Sequence, residues 1–287
     1  MTYKEIYITS TGTKICLSIW ENSKDCPVVI FIPGTMVHPL FYEEFLERLA
    51  LKGFTVLGIH MISHGKSPRE KKLYSFEDLK QNVKDTITYA SENYKGSILL
   101  LGSSQGGILA ITVVAEDDRI KAVFPHNIML PELPETIGIT RFPRFLQHIQ
   151  KQIMWLIKIG GKMMPGLQIS YAVYLEPDRV TSSLEMQRKL DNDPLFLRTY
   201  PLYFLASLFN ADMSKVSDGS IKCPVIVIAS TGDPLFSFDY TRLVFNKIKA
   251  PVKEMLAFDL PCHLILNEYV NEVLDPIADK IREYADK

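Results

Sequence analysis

The chain has 287 residues, 47% of them hydrophobic and 23% charged, the make-up of a globular protein with enough apolar material for a sizeable core. Its 32 basic and 33 acidic residues leave a formal net charge of −1, which excludes a global field favouring nucleic acid or an anionic membrane; such a partner needs a local patch. The four cysteines lack C-x-x-C spacing, the first residues lack the pattern of a signal peptide, and no apolar run reaches the ~18 residues of a membrane span, so a cytoplasmic protein with reduced thiols is expected.

Residues 4–10 and 14–20 alternate like two short strands joined at Thr11-Gly12-Thr13, a hairpin. Residues 27–33 (PVVIFIP) are almost continuously apolar, as suits a strand buried on both faces of a parallel sheet. A helix is predicted over 41–52, ending at Gly53, then a strand over 55–61, and a long helix over 75–94 opened by Ser75-Phe76-Glu77-Asp78. Strands follow over 97–101 and 120–128. This alternation implies a mostly parallel α/β sheet with the hairpin as its antiparallel edge.

The alternation stops after Met129 and resumes at 223–230 (CPVIVIAS), followed by a helix over 238–249, a strand over 252–258 and a terminal helix over 270–285. The chain therefore divides into a core of residues 1–130 and 220–287 and a helical insertion of residues 131–219, which holds no convincing buried strand. Within it Phe142, Phe145, Leu146, Ile149, Ile153, Leu156 and Ile157 fall on one helical face and Arg144, Gln147, Gln150, Lys151 and Lys158 elsewhere, with no acidic residue between Thr140 and Pro165. The main expectation is a cap helix with its apolar face on the core; the cations also admit weak association with a membrane surface. Residues 195–209 are apolar nearly all round and are expected to be buried.

Gly102-Ser103-Ser104-Gln105-Gly106-Gly107 lies between the 97–101 strand and a helix-like apolar run, the strand, turn, helix context of a nucleophile elbow. A serine hydroxyl needs an imidazole to take its proton, a carboxylate to orient that imidazole, and N–H donors for the oxyanion. Asp233, in Gly232-Asp233-Pro234, and His263 each follow a predicted strand, and the order Ser104, Asp233, His263 is that of α/β-hydrolases. Asp239 is the fallback acid. The backbone N–H groups of Gln105 and Thr35 are the expected oxyanion donors, with Met36 the neighbouring alternative. Met36, His38 and His126 are candidate pocket residues, His148 is placed on the solvated side of the insertion, and His60 and His64 have no third ligand in sequence, so no metal and no cofactor is expected.

Pro33-Gly34-Thr35, Ser63-His64-Gly65-Lys66-Ser67, the elbow, Gly232-Asp233-Pro234 and His263 together resemble the α/β-hydrolase superfamily. The nearest branch is that of monoacylglycerol lipases, lysophospholipase-like esterases and prolyl aminopeptidase-like peptidases. The resemblance implies an α/β-hydrolase fold with a helical lid, and a serine hydrolase. The aromatic and aliphatic insertion favours small-molecule esters with an apolar acyl or aryl group, with no nucleic-acid partner. Peptidase, thioesterase and non-catalytic receptor remain alternatives. Departures from the family pattern are Pro33 for the usual His, His60 ahead of the S-H-G turn, and Gln105 for the commoner Met.

Overall fold

The structure, a computed structural model, describes residues 1–286. Strands β1 (Thr2–Ser10) and β2 (Thr13–Glu21) form the hairpin, closed by Thr11 and Gly12 at φ of 51° and 79°, the two-residue turn whose twist matches its strands. The fully buried runs β3 (Val28–Ile32), β4 (Thr55–His60), β5 (Ile98–Ser103) and β6 (Ala122–His126) follow. Two short strands, β7 (Gln168–Ser170) and β8 (Thr199–Pro201), pair antiparallel within the insertion. The last strands are β9 (Val225–Ser230) and β10 (Lys253–Phe258).

The main sheet runs β1-β2-β4-β3-β5-β6-β9-β10. Its β2 strand is antiparallel to both neighbours and every later pair is parallel, the antiparallel-edged α/β sheet that the sequence predicts. Register positions the site: Ile32 lies opposite Gly102, Ser103 opposite His126, His126 opposite Ile228, and Ser230 opposite Phe258. The loops leaving these strands therefore open at one carboxyl-terminal edge, where ligands bind in such sheets.

The helices of the first half are α1 (Glu43–Leu51), α2 (Phe76–Asn93) and α3 (Gln105–Val114). A capping box starts α2, Asp78 N–H donating to Ser75 Oγ (3.2 Å) and Ser75 N–H to Asp78 Oδ2 (2.7 Å). The insertion carries α4 (Gln150–Met163), α5 (Pro177–Val180), α6 (Leu184–Asn192), α7 (Leu202–Phe209) and α8 (Lys215–Asp218). The chain ends in α9 (Phe238–Lys247), α10 (Ile265–Glu268) and α11 (Val270–Ala285).

The insertion departs from expectation in three respects. It contains the β7–β8 pair, too short for a periodicity signal. The predicted single helix over 142–157 is broken at Ile149, where a tighter 3-10 turn (Arg144–Ile149) hands over to α4. The expected apolar face is also only half covered: Leu146, Ile153 and Ile157 pack on the core, whereas Phe145 is 69% exposed, Leu156 59% and, on the same helix, Trp155 60%. Within residues 195–209, Phe196, Tyr200, Phe204, Leu205, Leu208 and Phe209 are buried as expected, whereas Arg198 and Tyr203 are exposed. Buried side chains of the insertion, among them Met154, Tyr174, Phe196, Tyr200 and Phe204, belong to the same continuous apolar cluster as the sheet.

Candidate active site

Ser104 sits between β5 and α3 at φ 54°, ψ −118°, a conformation that costs a non-glycine residue about 1–3 kcal/mol. The surroundings hold it there: Ser104 N–H donates to His126 O (2.8 Å) and Ser104 O accepts from Gly107 N–H (2.8 Å). The glycines are required sterically. A Cβ on Gly102 would fall 2.1 Å from Gly106 O, and one on Gly106 would fall 2.0 Å from Ile32 O. This close approach lets α3 begin directly at Gln105, whose N–H has no intrahelical acceptor.

Asp233, on the loop after β9, is buried. Its Oδ1 accepts from the N–H groups of Leu235 (2.7 Å) and Phe236 (2.9 Å); its Oδ2 accepts from His263 Nδ1 (2.8 Å) and Asn127 Nδ2 (2.9 Å). Burial alone would raise the Asp233 pKa, but the His263 imidazole and these hydrogen bonds outweigh it and hold the carboxyl below its ordinary value. Four donors on two oxygens fix the carboxylate plane. They leave His263 Nδ1 as the donor and Nε2 as the free acceptor. The Phe236 ring lies flat against His263, with centroids 5.5 Å apart and planes 9° apart, so the imidazole is held on a face as well as an edge. Asp239, by contrast, is exposed in the first turn of α9 and makes no bond to His263 among the described residues.

Ser104 and His263 line one cavity of about 160 Å³, together with Gly34, Thr35, Phe41 and Leu235 of the core and Tyr171, Leu175, Val180, Leu190 and Phe196 of the insertion. Among the described residues no hydrogen bond joins the Ser104 hydroxyl to His263. Catalytic hydrogen bonds are often long in the absence of substrate and tighten when it binds. Asp178 and Asp191 stand exposed at the mouth, whereas Glu132, Glu135 and Glu176 of the insertion do not line the cavity.

Thr35 borders the same cavity, and also a smaller apolar recess of about 40 Å³ that Ser104, Gln105 and Ile108 line with it. Met36, His38 and His126 do not border the cavity that holds Ser104 and His263; His38 lines a separate, more open groove with Glu44 and Asp193. Met36 is fully buried at φ 63°, and its N–H is taken by Tyr200 Oη at 2.9 Å, which leaves Thr35 as the free donor of that turn. His38 Nε2 pairs with Asp193 Oδ2 of the insertion (2.7 Å). His126 lies behind the dyad, fully buried, its Nε2 3.1 Å from Asn127 Nδ2, and burial with the nearby His263 depresses its pKa to about 3.

His60 and His64 are tied into the chain. Lys66 N–H donates to His60 Nδ1 (3.0 Å), leaving Nε2–H for Ser18 Oγ (3.0 Å), and burial first, then the charges of His38, Lys66 and His64, depress its pKa to about 3. Cys262 is buried, 3.2 Å from Glu268 Oε1, and burial pushes its thiol well above the ordinary range, so it stays a protonated packing group beside His263. His148 is exposed.

Several contributors carried little or no sequence signal. Asn127 bonds Asp233 from a left-handed conformation (φ 65°) that asparagine tolerates. Arg179 donates to the carbonyls of Pro234 (2.7 Å) and Leu235 (3.0 Å), bracing the acid loop from the insertion. Only the fold brings them to the site.

Fold and elbow together define an α/β-hydrolase. The chain matches the family model described as serine aminopeptidase, S33, over residues 23–269, and it belongs to that family. The AB hydrolase superfamily protein YisY of Bacillus subtilis is 24% identical over 224 residues, covering 77% of this chain and 80% of that protein. The monoacylglycerol lipase of Paleococcus ferrophilus superposes with a TM-score of 0.75 at 21% identity, over 99% of this chain and 100% of the other. A monoglyceride lipase variant of Saccharomyces cerevisiae, bound to a substrate analogue, gives 0.75 at 14% (99% and 96%), and Est1E of Butyrivibrio proteoclasticus, bound to ferulic acid, 0.64 at 19% (98% and 100%). No helix among the described residues is long and apolar enough to cross a membrane.

Proposed function

We propose that this chain is a cofactor-independent serine hydrolase of carboxylic esters carrying a short apolar acyl or aryl group. Ser104 Oγ attacks the ester carbonyl carbon while His263 Nε2 takes its proton; the oxyanion is met by the N–H groups of Gln105 and Thr35. The C–O bond to the alcohol then breaks, His263 returns the proton to the departing oxygen, and water activated by the same imidazole releases the acid. Asp233 holds the tautomer and stabilises the imidazolium. The observation that carries this reading is the 2.8 Å bond between the four-fold bonded Asp233 carboxylate and His263, in a cavity that also holds the strained Ser104.

Residues 131–219 act as a lid on a core of 1–130 and 220–287, because the insertion supplies the apolar side of the cavity. Its size bounds the substrate. A cavity of about 150 Å³ with apolar walls accommodates benzene, so about 160 Å³ suits a group of roughly six carbons. The test is a p-nitrophenyl ester series against wild type and Ser104→Ala: turnover absent in the variant and best near four to six acyl carbons is expected, and Ser104-independent turnover refutes the reading.

The carboxylates Asp178 and Asp191 at the mouth favour a second reading, a peptidase that holds a substrate amine. Aminoacyl p-nitroanilides cleaved faster than esters, with the excess lost in Asp178→Asn, would select it.

The exposed residues Phe145, Ile149, Trp155, Leu156 and Met163, set among Arg141, Arg144, Lys151, Lys158 and Lys162 with no carboxylate between Glu135 and Glu176, suit weak docking on an anionic lipid or micelle surface.

A further inference from the structure

Four polar atoms of three residues converge on the hydroxyl of Tyr200, a fully buried residue of β8 in the insertion. They are Met36 N at 2.9 Å, His64 Nε2 at 2.9 Å, and the Gln105 side chain, with Nε2 at 3.3 Å and Oε1 at 3.4 Å. Proton bookkeeping decides which bonds coexist. His64 Nδ1 lies 2.7 Å from Ile62 O, and a carbonyl only accepts, so Nδ1 carries the proton and Nε2 is an acceptor. Burial depresses the His64 pKa to about 4, so the ring is neutral near pH 7. The single Tyr200 proton therefore goes to His64. Its oxygen receives the Met36 N–H and one Gln105 Nε2–H.

Met36 is held on its other side as well, Leu197 N–H donating to Met36 O at 2.9 Å. Two neighbouring residues of the insertion thus grip the amide and the carbonyl of a residue at φ 63°, a conformation that is strained without support. Thr35, the oxyanion donor of the mechanism above, is the residue just before it. An oxyanion donor is useful only when its N–H is aimed in advance, and that aim depends on how the following peptide is fixed.

We propose that Tyr200 is a positioning residue for ester hydrolysis: its hydroxyl fixes the Thr35–Met36 peptide and so aims the Thr35 N–H at the developing oxyanion. The inference rests on the hydrolase reading. It also accounts for Gln105, the unusual residue after the nucleophile, whose backbone serves the oxyanion while its side chain holds the tyrosine that sets the second donor. Lifting residues 193–200 breaks both bonds on Met36, so the oxyanion hole is complete only while this part of the insertion is seated.

Tyr200→Phe deletes the hydroxyl and keeps the ring against Phe204, 4.3 Å away between centroids. Losing an oxyanion donor outright costs about 10²–10³ in kcat, so a misaimed one is expected to cost about 10- to 100-fold. With p-nitrophenyl butyrate, KM should stay within about twofold and the single-turnover acylation rate should fall in step with kcat. Gln105→Met should cost about two- to fivefold, and the double variant should be no slower than Tyr200→Phe, because both act through one hydroxyl. Wild-type kcat in Tyr200→Phe, a loss confined to KM, or additive losses overturn the proposal. Should Tyr200→Phe not fold, Gln105→Met decides alone, and an unchanged kcat there overturns it. An inert wild type would instead sink the hydrolase reading.

Discussion

Asp233→Asn is the sharpest perturbation, because the structure dictates where each atom of the new amide must go. At the Oδ1 position an NH₂ group would face the N–H groups of Leu235 and Phe236, donor against donor, and forfeit both bonds. The amide therefore keeps its oxygen there and places its NH₂ at the Oδ2 position, where only the Asn127 Nδ2 bond is given up and His263 Nδ1 lies 2.8 Å away. His263 must then accept at Nδ1 and carry its proton on Nε2, the tautomer unable to take the Ser104 proton. Where the acid of a serine triad is changed to its amide with geometry intact, kcat falls by about 10⁴, or about 5.4 kcal/mol at 1.36 kcal/mol per tenfold. The assay is kcat for p-nitrophenyl butyrate at pH 7.5, with a urea melt to verify folding and Asp239→Asn as control. Asp233→Asn is expected to lose three to four orders of magnitude and Asp239→Asn less than twofold. A folded Asp233→Asn within tenfold of wild type would refute the tautomer argument, and a large loss in Asp239→Asn would move the acid to α9.

Phe196→Ala opens the cavity wall where Phe196 meets Tyr171 (centroids 5.8 Å apart), so the preferred acyl chain should lengthen by about two carbons in the ester series; an unchanged optimum would place the acyl group elsewhere. The chain has two tryptophans, of which Trp20 is buried and Trp155 exposed. Anionic vesicles should therefore blue-shift emission through Trp155, with no shift in Trp155→Phe or on neutral vesicles, and a shift that survives Trp155→Phe would remove that surface from the account. His60, His64 and His126 have folded-state pKa values below the ordinary histidine value of about 6.5. A depressed pKa means that the unfolded chain binds more protons, so their stabilisation is complete above about pH 6.5 and is lost as pH falls toward the folded-state values of about 3 to 4. The urea midpoint should drop steeply across that interval, with a shallower slope in His60→Gln; a flat profile would contradict neutral burial.

The parallel core was legible because each strand from β3 to β6, and β9 after the insertion, is a short apolar run with helices or loops between. The candidate nucleophile, acid and imidazole were legible for a related reason: each lies in the turn or loop that follows a predicted strand, and they come in the chain order of α/β-hydrolases. The insertion was harder to read. A three-residue pair such as β7–β8 has no measurable period, and the helical face over 142–157 is interrupted at Ile149, where no glycine or proline marks the break. Periodicity also says which residues share a face without saying what covers it, which is why Phe145 and Leu156 were expected inside and lie outside. Tyr200, Arg179 and Asn127 reach the site across long stretches of sequence, so the residues that hold its geometry emerged only with the fold.

Whether Ser104 is a nucleophile activated by His263 is decided by its covalent reactivity. The most direct measurement is intact-mass spectrometry after treating wild type, Ser104→Ala and His263→Ala with a fluorophosphonate, each shown to be folded. One phosphonyl adduct per wild-type chain is expected, mapping to the peptide that contains Ser104, with no adduct in Ser104→Ala and labelling slowed by orders of magnitude in His263→Ala. An unlabelled wild type, or an adduct that persists in Ser104→Ala, would contradict that role.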